Sequence, residues 1–389
     1  MQPTGVTSAS WFTEEHTQFQ TSVRGFFDRE MTPLQDRWRT QGYADRSFWQ
    51  RAGEMGLLGA AAPEEFGGTD AGKSYEAIVL YETALKGETS WSFMIQTVVL
   101  HYILAYGTEA QKTKWIPGLV DGSIVGAIAM TEPDCGSDLL AMTSSVQTVE
   151  GGYRLNGSKT YITHGTTADL VIVAARTQPG RSGNALSLFL LDARDCDGLT
   201  RGPAMAKIGT PGSDTSDLFF DNVYLSVGSL LGSEPDLGFP QLMTQLPWER
   251  LVLGIKALGA IDCAIASTVE FAQNRSVFGK RLIDMQNTRF KLAEAKAKAE
   301  MLRSFMNDCI AAAEANELDT ATASMAKLMG AELQNQIVGE CVQLFGGAGF
   351  MSESLIARLY VDARVQTIYG GASEIMKELI AKSLDREHG

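Results

Sequence analysis

The stretch Met130-Thr131-Glu132-Pro133-Asp134-Cys135-Gly136-Ser137-Asp138 marks the point at which the chain changes texture. Upstream, from 13 to about 121, apolar residues recur at helical spacing. The segment TEEHTQFQTSVRGFFDREM opens that block with a capping-box arrangement, Thr13 followed by Glu14, Glu15 and His16. Ala62-Pro63-Glu64-Glu65-Phe66-Gly67-Gly68 breaks the spacing and reads as a loop, after which helical spacing resumes over 75–85 and 90–106. Downstream, between about 126 and 231, the runs are short, β-type and bounded by Gly, Asn, Asp and Pro: 153–157, 170–174, 186–191 and 218–225. They predict an antiparallel β-domain, with Val171-Ile172-Val173 and Leu188-Phe189-Leu190-Leu191 as strands buried between layers.

From about 238 the spacing is helical again. Residues 249–273 are rich in small side chains (Gly254, Ala257, Gly259, Ala260, Ala264, Ala266) that let helices approach closely. Leu292, Ala295, Ala299, Leu302, Phe305 and Met306 form one stripe; Met325, Leu328, Met329, Leu333 and Ile337 form another. Such stripes are bundle core. The chain is therefore mainly α with a central β-domain, divided as 10–124, 125–235 and 236–386. No repeat or low-complexity tract is visible.

A length of 389 residues exceeds what one hydrophobic core serves, which predicts two or three domains. Hydrophobic residues at 44% and charged residues at 20% are an ordinary globular balance. A net charge of −13 argues against nucleic-acid binding, since no global positive field would attract phosphates. The stretch 275–303 is a local exception, holding eight Lys or Arg against three acids, and could face an anionic cofactor. Five cysteines without a CxxC pair fit neither a disulfide framework nor a zinc cage, and only four histidines argue against a histidine-rich metal site. The N-terminal MQPTGVTSASWF has neither a basic start nor an apolar stretch, and no run approaches the roughly 18–20 apolar residues of a membrane span. These readings predict a soluble cytoplasmic protein with no bound metal and no membrane span.

The chain lacks a P-loop, a Gly-x-Ser-x-Gly elbow and a His-Glu-x-x-His pair. Gly346-Gly347-Ala348-Gly349 follows a helix rather than a strand, so it is no dinucleotide-binding turn. The longer elements carry more. After 130–138 come Asn156-Gly157-Ser158-Lys159-Thr160-Tyr161-Ile162-Thr163-His164-Gly165, then Arg275-Ser276-Val277-Phe278-Gly279-Lys280 leading to Gln286. Gln343-Leu344-Phe345 precedes the glycine run, and Ile368-Tyr369-Gly370-Gly371-Ala372-Ser373-Glu374-Ile375 closes the series. In this order, and with the helix–β–helix texture, the sequence resembles the acyl-CoA dehydrogenase family over essentially its whole length. The stretch 360–365 through 368–371, with Met376-Lys377-Glu378-Leu379-Ile380, is most similar to the long-chain branch.

That resemblance implies an N-terminal helical domain, a barrel-like β-domain and a C-terminal four-helix bundle. It also implies a homotetramer with one FAD per subunit, the flavin lying between the β-domain and the C-terminal helices. Met130, Thr131, Gly136 and Ser137 would contact flavin or substrate, and Tyr161 and Thr163 would pack on and hydrogen-bond the flavin ring. Arg275, Phe278 and Gln286, with Gln343 and Gly347 of a neighbouring subunit, would hold the pyrophosphate and adenosine end, an anion suited to Arg and oriented amides. Ser373 and Glu374 would also lie on the cofactor side.

Many family members carry a Glu at the third position of the Ile-Tyr-x-Gly motif, where this chain has Gly370. In the long-chain and isovaleryl branches the base comes instead from a Glu-Arg pair at a helix start, matched here by Pro247-Trp248-Glu249-Arg250-Leu251. The resemblance thus assigns Glu249 as base and Arg250 as a substrate- or CoA-side contact; taken alone, Glu249 would read as an acid favoured by a helix N-terminus. A thioester α-proton is far too weakly acidic for a carboxylate in water. Desolvation must raise the base's pKa, and hydrogen bonds must stabilise the developing enolate. The family uses a flavin ribityl hydroxyl and a backbone N–H for those bonds, and Gly370 or Gly371 still offers an amide. Hydride would leave Cβ for the flavin, giving the trans-2-enoyl thioester, and electrons would pass to an electron-transfer flavoprotein or similar acceptor.

Several positions depart from the family pattern: Asp134-Cys135 for Gly-Ala, Tyr161 for Trp, His164 for Asn, Ala372 for Thr, and Pro211-Gly212 within MAKIGTPGSD. Residues 92–100 should line the acyl tunnel and are bulky here, which predicts a short- to medium-chain acyl-CoA. Alternative expectations are a biosynthetic dehydrogenase acting on a CoA- or acyl-carrier-protein-tethered group, an acyl-CoA oxidase, and a non-catalytic helical scaffold.

Overall fold

A computed structural model describes residues 9–178, 180 and 185–387; the first eight residues of the N-terminal reading lie outside that range. Six helices come first: α1 (Glu14–Phe26), α2 (Gln35–Gln41), α3 (Arg46–Glu54), α4 (Lys73–Leu85), α5 (Phe93–Tyr106) and α6 (Glu109–Asp121). The capping box at α1 forms with histidine as its reciprocal partner, because the Thr13 N–H donates to His16 Nδ1 at 3.2 Å. Helix α5 is apolar nearly all round and correspondingly buried from Phe93 to Ile103, apart from Ile95.

The middle of the chain forms a seven-stranded sheet: β1 (Gly126–Ala129), β2 (Ser145–Val149), β3 (Gly152–Thr163), β4 (Leu170–Arg176), β5 (Leu186–Asp192), β6 (Leu199–Arg201) and β7 (Thr215–Ser226). The order is β1-β4-β2-β3-β7-β6, with β5 paired to β4. The expectation of a purely antiparallel sheet is corrected here. β1 runs parallel to β4 with Gly126 opposite Leu170 and Ala129 opposite Val173. A parallel pair needs a long crossover, and the β2–β3 hairpin supplies the length between them. All seven residues of β4 are buried, as its continuous apolar run predicts.

The C-terminal block is built on α7 (Gly238–Asn274), a hairpin of β8 (Ser276–Val277) and β9 (Lys280–Arg281), α8 (Gln286–Glu314), α9 (Thr320–Phe345), α10 (Leu355–Ala363) and α11 (Ser373–Glu387). Small residues set how closely α7 and α9 cross. A Cβ at Gly330 would stand 3.1 Å from the Gly254 Cα, so neither position has room for more. Contrary to the sequence expectation, α7 is long and apolar enough to span a bilayer by composition, yet 67% of its most apolar window is buried inside the protein. It is a core helix.

A second correction concerns Glu249. Pro247 lies inside α7 rather than at its start, and the helix begins at Gly238, about three turns earlier. Pro247 removes one ladder hydrogen bond without ending the helix. The helix dipole therefore does not govern Glu249; its surroundings do.

Candidate active site

Helices α5 and α7 run antiparallel and side by side. Tyr106 donates to the Gln241 carbonyl at 3.3 Å, Tyr102 to Glu249 Oε1 at 2.8 Å, and Lys256 Nζ lies 3.4 Å from Met94 Sδ. Glu249 is half-buried as a residue, but its carboxylate is sunk between the helices. Burial pushes its pKa up to about 6, against the opposing pull of the Tyr102 hydrogen bond and the Arg250 charge. Arg250 is itself buried, with Nη1 3.4 Å from Ser324 Oγ on α9 and Nε without a partner among the described residues.

The glycine pair of the closing motif sits against the same helix. Gly370 has φ +59°, and a Cβ there would stand 2.3 Å from Leu253 Cδ1, one turn on from Glu249. Gly371 follows with φ +95°, and its carbonyl accepts from Lys327 Nζ at 2.6 Å. Lys327 is fully buried, and burial lowers it to about 8. Helix α9 thus anchors both the residue after Glu249, through Ser324, and the glycine loop, through Lys327. Ser373 opens α11 and donates to Glu332 Oε1 at 2.7 Å, while Glu374 is exposed.

A second cluster forms on the β-domain. The Thr160 N–H donates to the Thr131 carbonyl at 3.0 Å, and Lys159 Nζ reaches the Met130 carbonyl at 3.0 Å and Glu132 Oε1 at 2.8 Å. Burial pushes the Glu132 carboxyl up, but Lys159 and hydrogen bonds from Ser144 and Thr143 hold it down at about 2. The first motif is thereby pinned to the second. Tyr161 stands at φ +59° where the β3–β7 register slips between Lys159 and Ile162, and its ring is 68% exposed. Thr163 is half-buried nearby, while Gly136 and Ser137 are exposed, with nothing within 4 Å of a Cβ at Gly136.

The third cluster lies at the far ends of the long helices. Phe278 and Gly279, at φ +49° and +76°, make the two-residue turn of the β8–β9 hairpin. That turn presents the Phe278 ring at 97% exposure between exposed Arg275 and Gln286. Gln343 and Gly347 are exposed at the end of α9, which meets the end of α7 through stacked Phe271 and Phe345 at 4.1 Å. Among the described residues this set shares no hydrogen bond with the β-domain set, so one chain brings together Glu249 with the glycine pair, and separately each half of the cofactor motifs. Sequence reading missed Tyr102, Lys327 and the structural role of Lys159. The available signal was a Tyr and two Lys at core positions, each of which needs a polar partner.

The Glu249 carboxylate lies in a desolvated helix interface with the glycine loop packed against the same helix, an arrangement suited to proton abstraction, and the exposed Tyr161 ring of the β-domain suits a flat cofactor. The comparisons place the chain. Residues 13–123, 127–223 and 236–384 match the family profiles described as the N-terminal, middle and C-terminal domains of acyl-CoA dehydrogenase. The chain belongs to the acyl-CoA dehydrogenase family. It is 41% identical over 376 residues to the mitochondrial long-chain specific acyl-CoA dehydrogenase of Rattus norvegicus, covering 96% of this chain and 87% of that protein. The crystal structure of acyl-CoA dehydrogenase from Geobacillus kaustophilus superposes with a TM-score of 0.94 at 37% identity, covering 97% of this chain and all of that one (100%). A glutaryl-CoA dehydrogenase from Mycobacterium smegmatis, solved in complex with FADH2, gives 0.89 at 26% identity, over 96% and 95% of the two chains.

The protein is thus an FAD-dependent oxidoreductase that dehydrogenates acyl-CoA thioesters. Its residues fit the cofactor. An exposed Tyr161 ring turned off the sheet suits a flat isoalloxazine, and open backbone at Gly136 and Gly347 leaves room for close approach. Exposed Arg275 offers a fork of donors to a pyrophosphate.

Proposed function

We propose that Glu249 takes the α-proton of a short- to medium-chain acyl-CoA, which is oxidised to the trans-2-enoyl thioester. The observation that carries this is the Glu249 carboxylate itself, desolvated to a pKa of about 6 and hydrogen-bonded by Tyr102, one helical turn from Leu253, against which Gly370 packs. A carboxylate of raised pKa is a stronger base, and one poised near neutrality remains ionised enough to act. The chemistry supplied by bound FAD is hydride acceptance from Cβ. Lys327, by holding the Gly371 carbonyl, fixes the orientation of the adjoining amides as donors to the thioester oxygen. Ser137 and Arg250 stand on the substrate side of this reading; the unpartnered Arg250 Nε–H can donate a further hydrogen bond.

Met130, Thr131, Gly136, Ser137, Tyr161, Thr163, Ser373 and Glu374 serve the flavin end of the cofactor in this reading. Arg275, Phe278 and Gln286, with Gln343 and Gly347 of a second copy, serve the adenosine end. The exposed Phe278, Phe290 and Phe350 support a homotetramer, since large apolar groups left on a surface mark association sites. A cytoplasmic location and an electron-transfer flavoprotein as acceptor complete the proposal. Buried, bulky Phe93, Met94, Val98 and Val99 on α5 support the shorter acyl range.

The test is anaerobic mixing of the flavin-loaded enzyme with straight-chain acyl-CoA thioesters from four to sixteen carbons, reading the rate of flavin bleaching. The fastest bleaching is expected at short to medium length, and a maximum at sixteen carbons would discard that part of the reading.

A further inference from the structure

Two turns beyond Glu249, α7 carries a second charged side chain on the same face. Seven residues separate Glu249 from Lys256, which on a helix is nearly two full turns and about 10 Å along the axis. Across the interface α5 keeps step, with Tyr102 opposite Glu249 and Met94 opposite Lys256. If Glu249 marks the substrate's α-carbon, as the proposed function holds, Lys256 stands further along the α5–α7 interface that runs on from it.

That end is closed. Leu80, Trp91, Phe93 and Met94 enclose, with Lys256, a cavity of about 10 Å³ that is walled on its remaining sides by Thr83, Ser92 and Glu88. Such a space holds no more than about one water. The ammonium has no carboxylate within ion-pair distance among the described residues, and its nearest polar partner is the Met94 sulfur at 3.4 Å. A thioether is a weak acceptor on a flexible, unbranched side chain, so a stronger acceptor would displace it readily.

The nearby acids are otherwise engaged. Asp362 binds Arg39 at 2.8 Å and Thr89 at 3.3 Å and accepts from the Thr210 N–H. Glu88 turns to the Ser90 and Trp91 N–H groups, and burial raises its carboxyl above the usual range. Burial also lowers Lys256 to about 8, with Asp362 and Glu88 opposing, which leaves most of its charge in place at neutral pH. An apolar residue would fill this end of the interface with less cost than a desolvated cation lacking a counter-ion. A cation placed there has a use when an anion arrives with the ligand.

We propose that Lys256 recognises a carboxylate at the far end of the acyl chain, so that the enzyme's substrates include medium-length acyl-CoA thioesters bearing an ω-carboxyl group. The carboxylate takes the place of the Met94 sulfur on Lys256 and completes a charge-assisted hydrogen bond in a site shielded from water. The spacing between base and ammonium then sets chain length, because the thioester and the ω-carboxylate are both fixed.

The experiment compares kcat/KM of the holoenzyme for adipoyl-CoA against hexanoyl-CoA and for suberoyl-CoA against octanoyl-CoA. The wild type is expected to favour the ω-carboxyl member of at least one pair by tenfold or more. Lys256→Met should lower that ratio by a hundredfold or more, chiefly through KM, with hexanoyl-CoA or octanoyl-CoA turned over at least as well as by the wild type. Lys256→Arg should keep the preference in part. A wild-type preference for the unsubstituted thioester in both pairs overturns the proposal whatever the variants do, as does a ratio unmoved by Lys256→Met. Turnover of unsubstituted thioesters alone removes only the role of Lys256, whereas turnover of neither series removes the reading of Glu249 with it.

Discussion

The Tyr102 hydroxyl donates to Glu249 Oε1 across 2.8 Å, joining a fully buried tyrosine of α5 to the one carboxylate that α7 places at this level. The bond favours the ionised form of a group that burial is pushing the other way. It also fixes which oxygen remains free to meet a substrate. The position of the base and its basicity are therefore set by the same contact.

Removing that contact should make the base harder to ionise. In Tyr102→Phe the acid limb of kcat/KM, expected near the Glu249 pKa of about 6, should move up by about 1–2 units, because a hydrogen bond to a charged group is worth roughly 1.5–3 kcal/mol and one unit is 1.36. A pH–rate profile of the free enzyme reads this directly. An unmoved limb would mean that Tyr102 does not tune Glu249.

The raised pKa also has a consequence for stability. Folded Glu249 holds its proton to about 6, above the ordinary carboxylate value of 4.5 in the unfolded chain. The favourable contribution is complete below the unfolded value and is lost as pH rises through about 6, so at pH 8 the ionised group is a burden. Glu249→Gln should therefore stabilise the fold by on the order of 1–2 kcal/mol at pH 8, with the gain vanishing near pH 4. Denaturant midpoints at the two pH values check the sign, and equal midpoints at pH 8 would argue that the carboxylate is solvated.

Moving the base to the other family position should fail in this scaffold. Gly370 has φ +59°, and a Cβ there would stand 2.3 Å from Leu253 Cδ1. The double variant Glu249→Gly with Gly370→Glu should lose roughly 1–3 kcal/mol of stability from backbone strain and crowding and recover little activity. Adding Leu253→Ala should restore part of the turnover by clearing the clash. Full recovery in the double variant would show that the loop relaxes more than the contact implies.

Lys159 tests the cofactor side. Its ammonium ties the Met130 carbonyl to Glu132 in a fully buried pair. Lys159→Met leaves the Glu132 carboxylate without its partner, which should cost about 3–5 kcal/mol and loosen the 130–138 segment. Weaker FAD retention on gel filtration, together with a lower unfolding midpoint, is the expected pair of results. Replacing both partners by Met and Leu should recover much of the stability but not the flavin affinity.

The sequence was legible where structure is local. Helical stripes marked α8 and α9, and the apolar run at 170–174 marked a strand covered on both faces. The β1–β4 pairing was not legible, because alternation within a run says nothing about which distant run lies beside it or in which direction. The helix start expected at Glu249 came from the family resemblance alone, whereas helical spacing from about 238 already pointed to the helical residues that precede it as far back as Gly238. In the site, Glu249 and the glycine pair could be found from motif order. Tyr102, Lys327 and Lys159 could not, since their partners lie 147, 44 and 27 residues away. Only the fold makes those contacts.

The central claim is that Glu249 is the group that removes the proton. The most direct measurement is anaerobic stopped-flow bleaching of the flavin, comparing wild type with Glu249→Gln at saturating substrate. General-base catalysis contributes about 10²–10⁴-fold, so the variant should bind the thioester, perturb the flavin spectrum and bleach slower by at least that factor. Bleaching at the wild-type rate in a correctly folded, flavin-loaded variant would contradict the account.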